Sequence, residues 1–412
     1  MAQITAKPSK LRWKRYLGMP QNVVAVSLVS LLNDTSSEII YPLLPAFLAL
    51  SLGASPFAIG LIEGFAESVA SLLKLVSGYL SDRFSSRKLP VFFGYALSAI
   101  IRPVLGFVTT WPQVLVVRMS DRVGKGIRGA PRDALIAESV SPEERGLAFG
   151  FNRAADNLGA VFGPIAGFLL LFFIASNSEN PTILEYQKVF LFASIPVVAA
   201  LVIIVFFVRE KGPAAEHLAG PPSLSLKGFD PNFKRYLFVI ALFTLSNSTD
   251  AFLLLRANDA GIPPVLLPLL WVSLHVSKVV SSLVAGDLSD RIGRKTLIIA
   301  GWVVYALVYA GFAFVVSPWQ CWGLFIIYGT YFGLTEGVEK AFVADMVPAG
   351  KRGTAYGFYN LAYGITVFPA SLLFGLAWDK YGAASAFLAS AAVSIVAILF
   401  FFTIRAPLVS EN

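Results

Sequence analysis

The sequence predicts an all-α membrane protein of twelve transmembrane helices, arranged as two related six-helix bundles. Three observations predict it. The 412 residues are 56% hydrophobic and only 14% charged, a balance that leaves a soluble chain short of polar surface. Apolar runs near the roughly 20 residues needed to cross a bilayer core recur along almost the whole chain. Two blocks also repeat at a common offset of 207–208 residues. One is Gly78-Tyr-Leu-Ser-Asp82-Arg83 with Arg87-Lys88, matched by Gly286-Asp-Leu-Ser-Asp290-Arg291 with Arg294-Lys295. The other is Arg145-Gly-Leu-Ala-Phe-Gly-Phe151, matched by Arg352-Gly-Thr-Ala-Tyr-Gly-Phe358.

In the first half, apolar runs bounded by charges, Pro and Gly give spans at 22–50, 56–80, 89–109, 112–139, 146–175 and 187–208. The first follows a basic tail (Lys7, Lys10, Arg12, Lys14, Arg15) that superficially resembles a secretion signal. It holds Asn33, Asp34 and Glu38, lacks a small-residue cleavage site and continues to Leu50, so it reads as a retained helix. Asp34 and Glu38 share a face of that helix; Glu63, Glu67 and Lys74 share a face of the second. On the fourth helix Arg118, Asp121, Arg122, Lys125, Arg128 and Arg132 step by three or four residues along one broad stripe.

A charge at the bilayer centre costs about 2.5–3.5 kcal/mol, so this stripe is expected to line an internal passage. Its five cations face a single carboxylate and need negative partners, from other helices, from a substrate, or from both. The carboxylates of helices one and two suit either proton coupling or structural pairing with helix four, and the sequence favours neither. In the fifth helix Gly159 and Gly163 permit close packing and Pro164 a bend, while Arg153 and Asp156, three residues apart, are expected to pair.

The stretch from Arg209 to Phe233, with Gly220, Pro221, Pro222 and several serines, reads as a cytoplasmic linker between a bundle at 1–208 and another at 234–412. The second half gives spans at 234–256, 264–288, 296–316, 320–345, 355–377 and 383–404. It supplies Asp250 and Arg256 on helix seven, His275 and Lys278 on helix eight, and Glu336, Glu339 and Lys340 on helix ten. His275 stands where Glu67 stands in the first repeat, which makes it a candidate for coupling, since histidine changes charge near neutral pH; a side chain satisfied by Ser277 or nearby backbone is the alternative. Arg132-Asp133 falls against Glu339-Lys340, a charge reversal that would close a cytoplasmic entrance if the two ends meet. Glu138 and Asp345 also correspond, as partners for Arg83 or Arg87 and for Arg294.

Basic residues gather on one set of connections, while the other set holds only Lys188 and Lys380, which places both termini in the cytoplasm. Several classes are excluded. The single Cys321 forms no internal disulfide or cysteine metal cluster, and two histidines build no multi-histidine metal centre. No nucleophile elbow or phosphate-binding loop is present, so the chain does not read as an enzyme, and energy would come from an ion gradient, of protons first, or from the substrate's own gradient, without a cofactor. The net charge of +8 is dispersed between apolar runs, unlike a nucleic-acid-binding face.

These residues resemble the major facilitator superfamily over nearly the entire chain. The segments Gly78 to Lys88 and Gly286 to Lys295 are similar to its Gly-x-Leu-x-Asp-Arg-x-Gly-Arg-Arg/Lys signature, with Ser85 and Ser86 departing from it in the first copy. Arg122-x-x-Lys125-Gly126 resembles its Arg-x-x-Gln-Gly motif. Gly159-x-x-x-Gly163-Pro164-x-x-Gly167 resembles its antiporter motif, with Phe168 where a further Gly is usual. Asp121-Arg-Val-Gly-Lys-Gly-Ile-Arg128-Gly-Ala-Pro131-Arg132-Asp133-Ala is similar to a largely uncharacterised prokaryotic branch.

The resemblance implies alternating access around a midplane site and a conformational role for Asp82, Arg83 and Asp290. The expectation is a monomeric, proton-coupled secondary transporter in a prokaryotic cytoplasmic membrane. It would move a small organic, anionic or amphipathic substrate, with export favoured on the antiporter motif. Multidrug antiport of cations, bound by Asp34, Glu38, Glu63 and Glu67, and a non-transporting sensor are the alternatives.

Overall fold

The computed structural model describes residues 18–83, 86–141, 144–210, 225–348 and 351–405, apart from the side chains of residues 75, 78–83, 286–287 and 290. Among the described residues the chain is helix and turn, without strands. The segments are α1 (Gln21–Ser51), α2 (Pro56–Arg83), α3 (Lys88–Phe107), α4 (Trp111–Glu138), α5 (Arg145–Ile174) and α6 (Ile183–Phe207). They continue as α7 (Pro231–Asp259), α8 (Leu267–Ile292), α9 (Arg294–Ala313), α10 (Pro318–Asp345), α11 (Arg352–Tyr381) and α12 (Ala383–Phe402).

Ten of these are long and apolar enough to cross a membrane; α4 and α10 are not among them, and α4 carries the charged stripe. Phe173, Leu283 and Trp319 stay 77–84% exposed on the outer surface. So large an apolar surface is stable only in lipid, and the chain is a multi-pass membrane protein.

Packing repeats along the chain. α1 lies on α5 and α6, α2 on α4, and α3 on α4 and α6; six helices later, α7 lies on α11 and α12, α8 on α10, and α9 on α10 and α12. The sets are joined chiefly by α2 with α11 and α5 with α8, and more lightly where α1 meets α7 and α8 and where α2 meets α7.

The same clasps also recur at one end of the molecule, which we call the basic end. Asn22 exchanges two hydrogen bonds with the Arg209 backbone, and Asn232 does the same with Arg405. Arg87 pairs with Glu138 at 3.2 Å, and Arg294 pairs with Asp345. Arg145 and Arg352 each donate to the carbonyl eight residues upstream, at 3.3 Å in both copies. At the opposite end Gln113 and Gln320 cap the starts of α4 and α10 by accepting from the backbone N–H groups of Thr110 and Ser317, both at 3.2 Å.

Two helices depart from the expected spans. α7, predicted as one helix at 234–256, is broken: Pro231–Ser246 and Ala251–Asp259 flank the non-helical run Asn247-Ser248-Thr249-Asp250. Four consecutive short polar side chains compete with the backbone for its own hydrogen bonds, and the freed groups find partners on other helices. Tyr305 donates to Ser246 O at 2.6 Å, Tyr328 to Asp250 at 2.7 Å, and the Thr249 N–H to Ser371 at 3.1 Å. α1 loosens at the matching place, with a 3-10 turn at Tyr41–Leu43 and a π turn at Phe47–Ser51 around Pro42 and Pro45.

The seam between α2 and α11 closes from the opposite end inward. Asp379 accepts from the Phe57 N–H at 2.9 Å, capping the start of α2 from the other set of helices. Ser68 donates to Gly364 O at 2.6 Å. A Cβ on Gly375 would stand 2.5 Å from Pro56 O, and one on Gly64 2.7 Å from Ser371 Cβ. Toward the basic end the sets part: Lys74, Lys125 and Lys340 are exposed, and a Cβ on Gly150, Gly337 or Gly353 would meet no atom within 4 Å.

Candidate functional site

The charged stripe of α4 divides into two faces. Asp121 and Arg128, each 5% exposed, turn into the packing of the first six helices. Asp121 accepts from Arg102 at 2.9 Å. Arg102 also donates to the backbone and side-chain oxygens of Asn33, and Arg128 donates to Asn33 at 3.2 Å, to Ser98 at 2.8 Å and to Gly94 O at 3.1 Å. The Arg128 guanidinium lies 4.4 Å from the Tyr95 ring. Asp121 and Arg128, expected along the passage, are therefore structural. Seven residues on a helix return to the same face, and that face meets α1 and α3. Arg118, 4% exposed, is likewise held by Glu63 in a two-pronged pair at 2.5 and 2.8 Å.

Arg122 and Lys125 occupy the other face. Arg122 lies 3.5 Å from Glu67, its Nε buried without a hydrogen-bond partner. Lys125 is exposed, forms no ion pair among the described residues, and sits in the field of Arg122, Glu67 and Asp34. Glu38 lies in the field of the same two cations and accepts from the Trp271 indole at 2.9 Å, a bond from α1 to α8. Asp34 accepts from Asn33 at 3.0 Å. Across the seam Asp250 is bound by Tyr328, and Lys278 reaches Glu336 at 2.6 Å. Arg122, Lys125, Glu67, Glu38, Asp250 and Lys278 thus come together between the two sets of helices.

Other expected residues fall elsewhere. Arg256 is not on the passage: it donates to Phe312 O at 3.1 Å and Val315 O at 2.7 Å, closing the end of α9. His275 packs edge-on to Trp271, and its buried Nε2 finds no partner, so Ser277, which donates to Ile326 O, does not satisfy it. Arg153 pairs across the seam with Glu336 at 2.9 Å; Asp156, its expected partner, lies 3.9 Å from Arg132 and near Asn152.

The latch between Arg132-Asp133 and Glu339-Lys340 is not formed. Arg132 bonds Asp133 and Ser30 in its own set. Glu339 is buried and accepts from Trp302 at 2.9 Å and Tyr359 at 2.6 Å. Two aromatic donors satisfy this carboxylate in this conformation, in which the two ends stand apart. The side chains of Asp82, Arg83 and Asp290 lie outside the described residues.

Gly159, Gly163 and Gly167 seat α5 on α1. A Cβ on Gly159 would stand 2.7 Å from Leu31 O, one on Gly163 2.6 Å from Glu38 Cβ, and one on Gly167 3.0 Å from Ile39 O. Pro164 lies inside α5 beside them. The same glycines therefore fix the depth at which Asp34 and Glu38 sit.

Sequence reasoning missed Arg102, Trp271 and the tyrosines 305, 309, 328 and 331, and noted Asn33 without giving it a partner. Arg102 was legible as an intramembrane cation before Pro103. The tyrosines stand one helical turn apart on α9 and α10, but an aromatic pair at that spacing also marks ordinary core.

A duplicated lipid-embedded helical bundle with ionisable groups collected between its two sets of helices defines a transporter, not an enzyme. A family model described as the Major Facilitator Superfamily matches residues 26–371 and 237–412, and the chain belongs to that family. It is 34% identical over 366 residues to an uncharacterised MFS-type transporter of Methanocaldococcus jannaschii, covering 87% of this chain and 89% of that one. It is 26% identical to a multi-drug resistance efflux pump of Streptococcus pneumoniae (81% and 83% covered). It is 23% identical to a cis,cis-muconate transport protein of Acinetobacter baylyi (76% and 78% covered). Its fold is similar to an inward-facing, occupied bacterial homologue of the human lysosomal transporter Spinster, with a TM-score of 0.77 at 13% identity over 98% of this chain and 99% of that one.

Proposed function

We propose that this protein is a proton-coupled secondary transporter that carries a small organic anion or anionic amphipath by alternating access, working as an exporter. In this reading all twelve helices span the membrane. Residues 1–208 and 234–412 form two bundles joined by a linker at 209–233, the basic end is cytoplasmic, and the protein acts as a monomer in a prokaryotic cytoplasmic membrane. The observation that carries the substrate class is the Arg122 and Lys125 pair. The Arg122 Nε is buried 3.5 Å from Glu67 without a hydrogen bond, and Lys125 has no ion pair among the described residues. A guanidinium and an ammonium side by side offer an anion one directed and one point-like partner. The muconate transport protein among the relatives is consistent with an organic acid.

The second reading, antiport of cationic drugs, is favoured by the efflux-pump relative and by Asp34, Glu38 and Asp250 around the same space. Liposome reconstitution with an imposed pH gradient separates the two. Saturable flux of organic acids, abolished by Arg122→Ala and driven by the gradient, is expected; flux confined to cations and abolished by Asp250→Asn would replace the first reading with the second.

A further inference from the structure

The basic end of the seam contains a cluster that the central pair does not use. Glu336 on α10 is pinned between Arg153 of α5 at 2.9 Å and Lys278 of α8 at 2.6 Å. Lys278 lies 4.7 Å from the Phe332 ring, which fixes its head toward the carboxylate. One turn along α10, Lys340 is exposed and in the field of Glu336, Arg153, Lys278 and Lys74 of α2. Helices from both sets thus gather three cations, Arg153, Lys278 and Lys340, around one carboxylate, and Lys74 adds a fourth beside Lys340. Nearby, Arg132 is shared by Asp133 and Asp156, which subtracts one charge; the vestibule stays positive.

Arg153 is 59% exposed while holding its pair, and Gly337, between Glu336 and Lys340, has open space where a Cβ would stand. A carboxylate clamped by two cations cannot neutralise the other two, and a cleft of one sign with low-dielectric walls raises the local concentration of the opposite ion.

We infer that the vestibule formed by Lys74, Arg153, Lys278, Glu336 and Lys340 is a capture site for organic dianions, which it concentrates at the basic end before they reach Arg122 and Lys125. The inference rests on the anion reading above and adds to it a second site nearer the basic end, joined to the central group through Lys278, and a preference for two negative charges. Glu336 is the replaceable member: an incoming carboxylate can take its place on Arg153, loosening a bond that ties α5 to α10.

The test measures the potential without requiring flux. In the full chain, whose own Cys321 is buried, Gly337→Cys is reacted with methanethiosulfonates bearing either a sulfonate or a trimethylammonium group. The ratio of the two rates is referred to that of 2-mercaptoethanol. The sulfonate reagent is expected to be favoured by about tenfold or more at low salt. The double substitution Lys74→Gln with Lys340→Gln should cut the preference several-fold, and Glu336→Gln should raise it. Phthalate should slow the labelling where benzoate and tetraethylammonium do not, and lose that protection in the double variant.

A ratio no greater than that of mercaptoethanol, or one indifferent to the lysines, overturns the inference. So does protection that appears only in phosphatidylglycerol nanodiscs and not with phthalate, which would assign the cluster to a lipid headgroup. Gly150→Cys, one turn before Arg153 and equally open, repeats the measurement if Gly337→Cys does not fold. A positive potential with no organic-acid flux would defeat the transport reading alone, and flux without the potential would defeat this one alone.

Discussion

At Asp121 one carboxylate serves two buried guanidinium groups, Arg102 in direct contact and Arg128 joined to Arg102 through Asn33. Removing it strands those charges in a region without water. Asp121→Ala is expected to destabilise the protein by about 3–5 kcal/mol, seen as a lower unfolding temperature in detergent. Arg122→Ala, one residue on, removes a group whose partner Glu67 is 36% exposed, so the stability change should stay within about 1 kcal/mol while transport is lost. Equal destabilisation by the two substitutions would contradict the division of the α4 stripe into a structural and a functional face.

At the scale of the element, contact between helices is set by glycine and by caps. Gly163 lets α5 press on α1 at Glu38. Gly163→Leu should force the two apart, cost about 1–3 kcal/mol and abolish transport, as checked by thermal unfolding and flux on the same preparation. Asp379 caps α2 from α11, so its bond exists only while the opposite end is shut. Asp379→Ala should cost about 1 kcal/mol of the closed form and raise the reactivity of a thiol placed at the buried Ala58, in a labelling time course. An unchanged rate would show that the seam glycines, not the cap, hold that end closed. The break in α7 belongs to this scale too: Asn247 to Asp250 were legible as four polar residues in an apolar run, yet the tyrosines that make the break affordable in lipid come from α9 and α10.

For the whole molecule, the clasps repeated at 22 and 232, at 87 and 294 and at 145 and 352 hold each set of six helices together at the basic end, where among the described residues the Arg153–Glu336 pair bridges the sets, while their backbones press together toward the other end. The molecule is thus caught open toward its basic end. A thiol at Gly353 should react with a membrane-impermeant reagent from that side, and one at the buried Ile62 from neither side. Agents that favour the alternative state should reverse the pattern, and labelling of both positions from one side would be incompatible with alternating access.

By itself the sequence determined the lipid-facing helices, their duplication and the family, because hydrophobic length and repeated motifs are properties of the chain read in order. It also showed which charges lie within long helices of the bundle. The tertiary structure decided what each charge does. Arg118, Asp121 and Arg128 became internal struts, Arg256 a helix cap and Arg153 a bridge between the sets, while Arg122 and Lys125 kept a free face. The reason is physical: a buried ion is tolerated only with partners at hydrogen-bond distance, and those partners come from helices tens to hundreds of residues away.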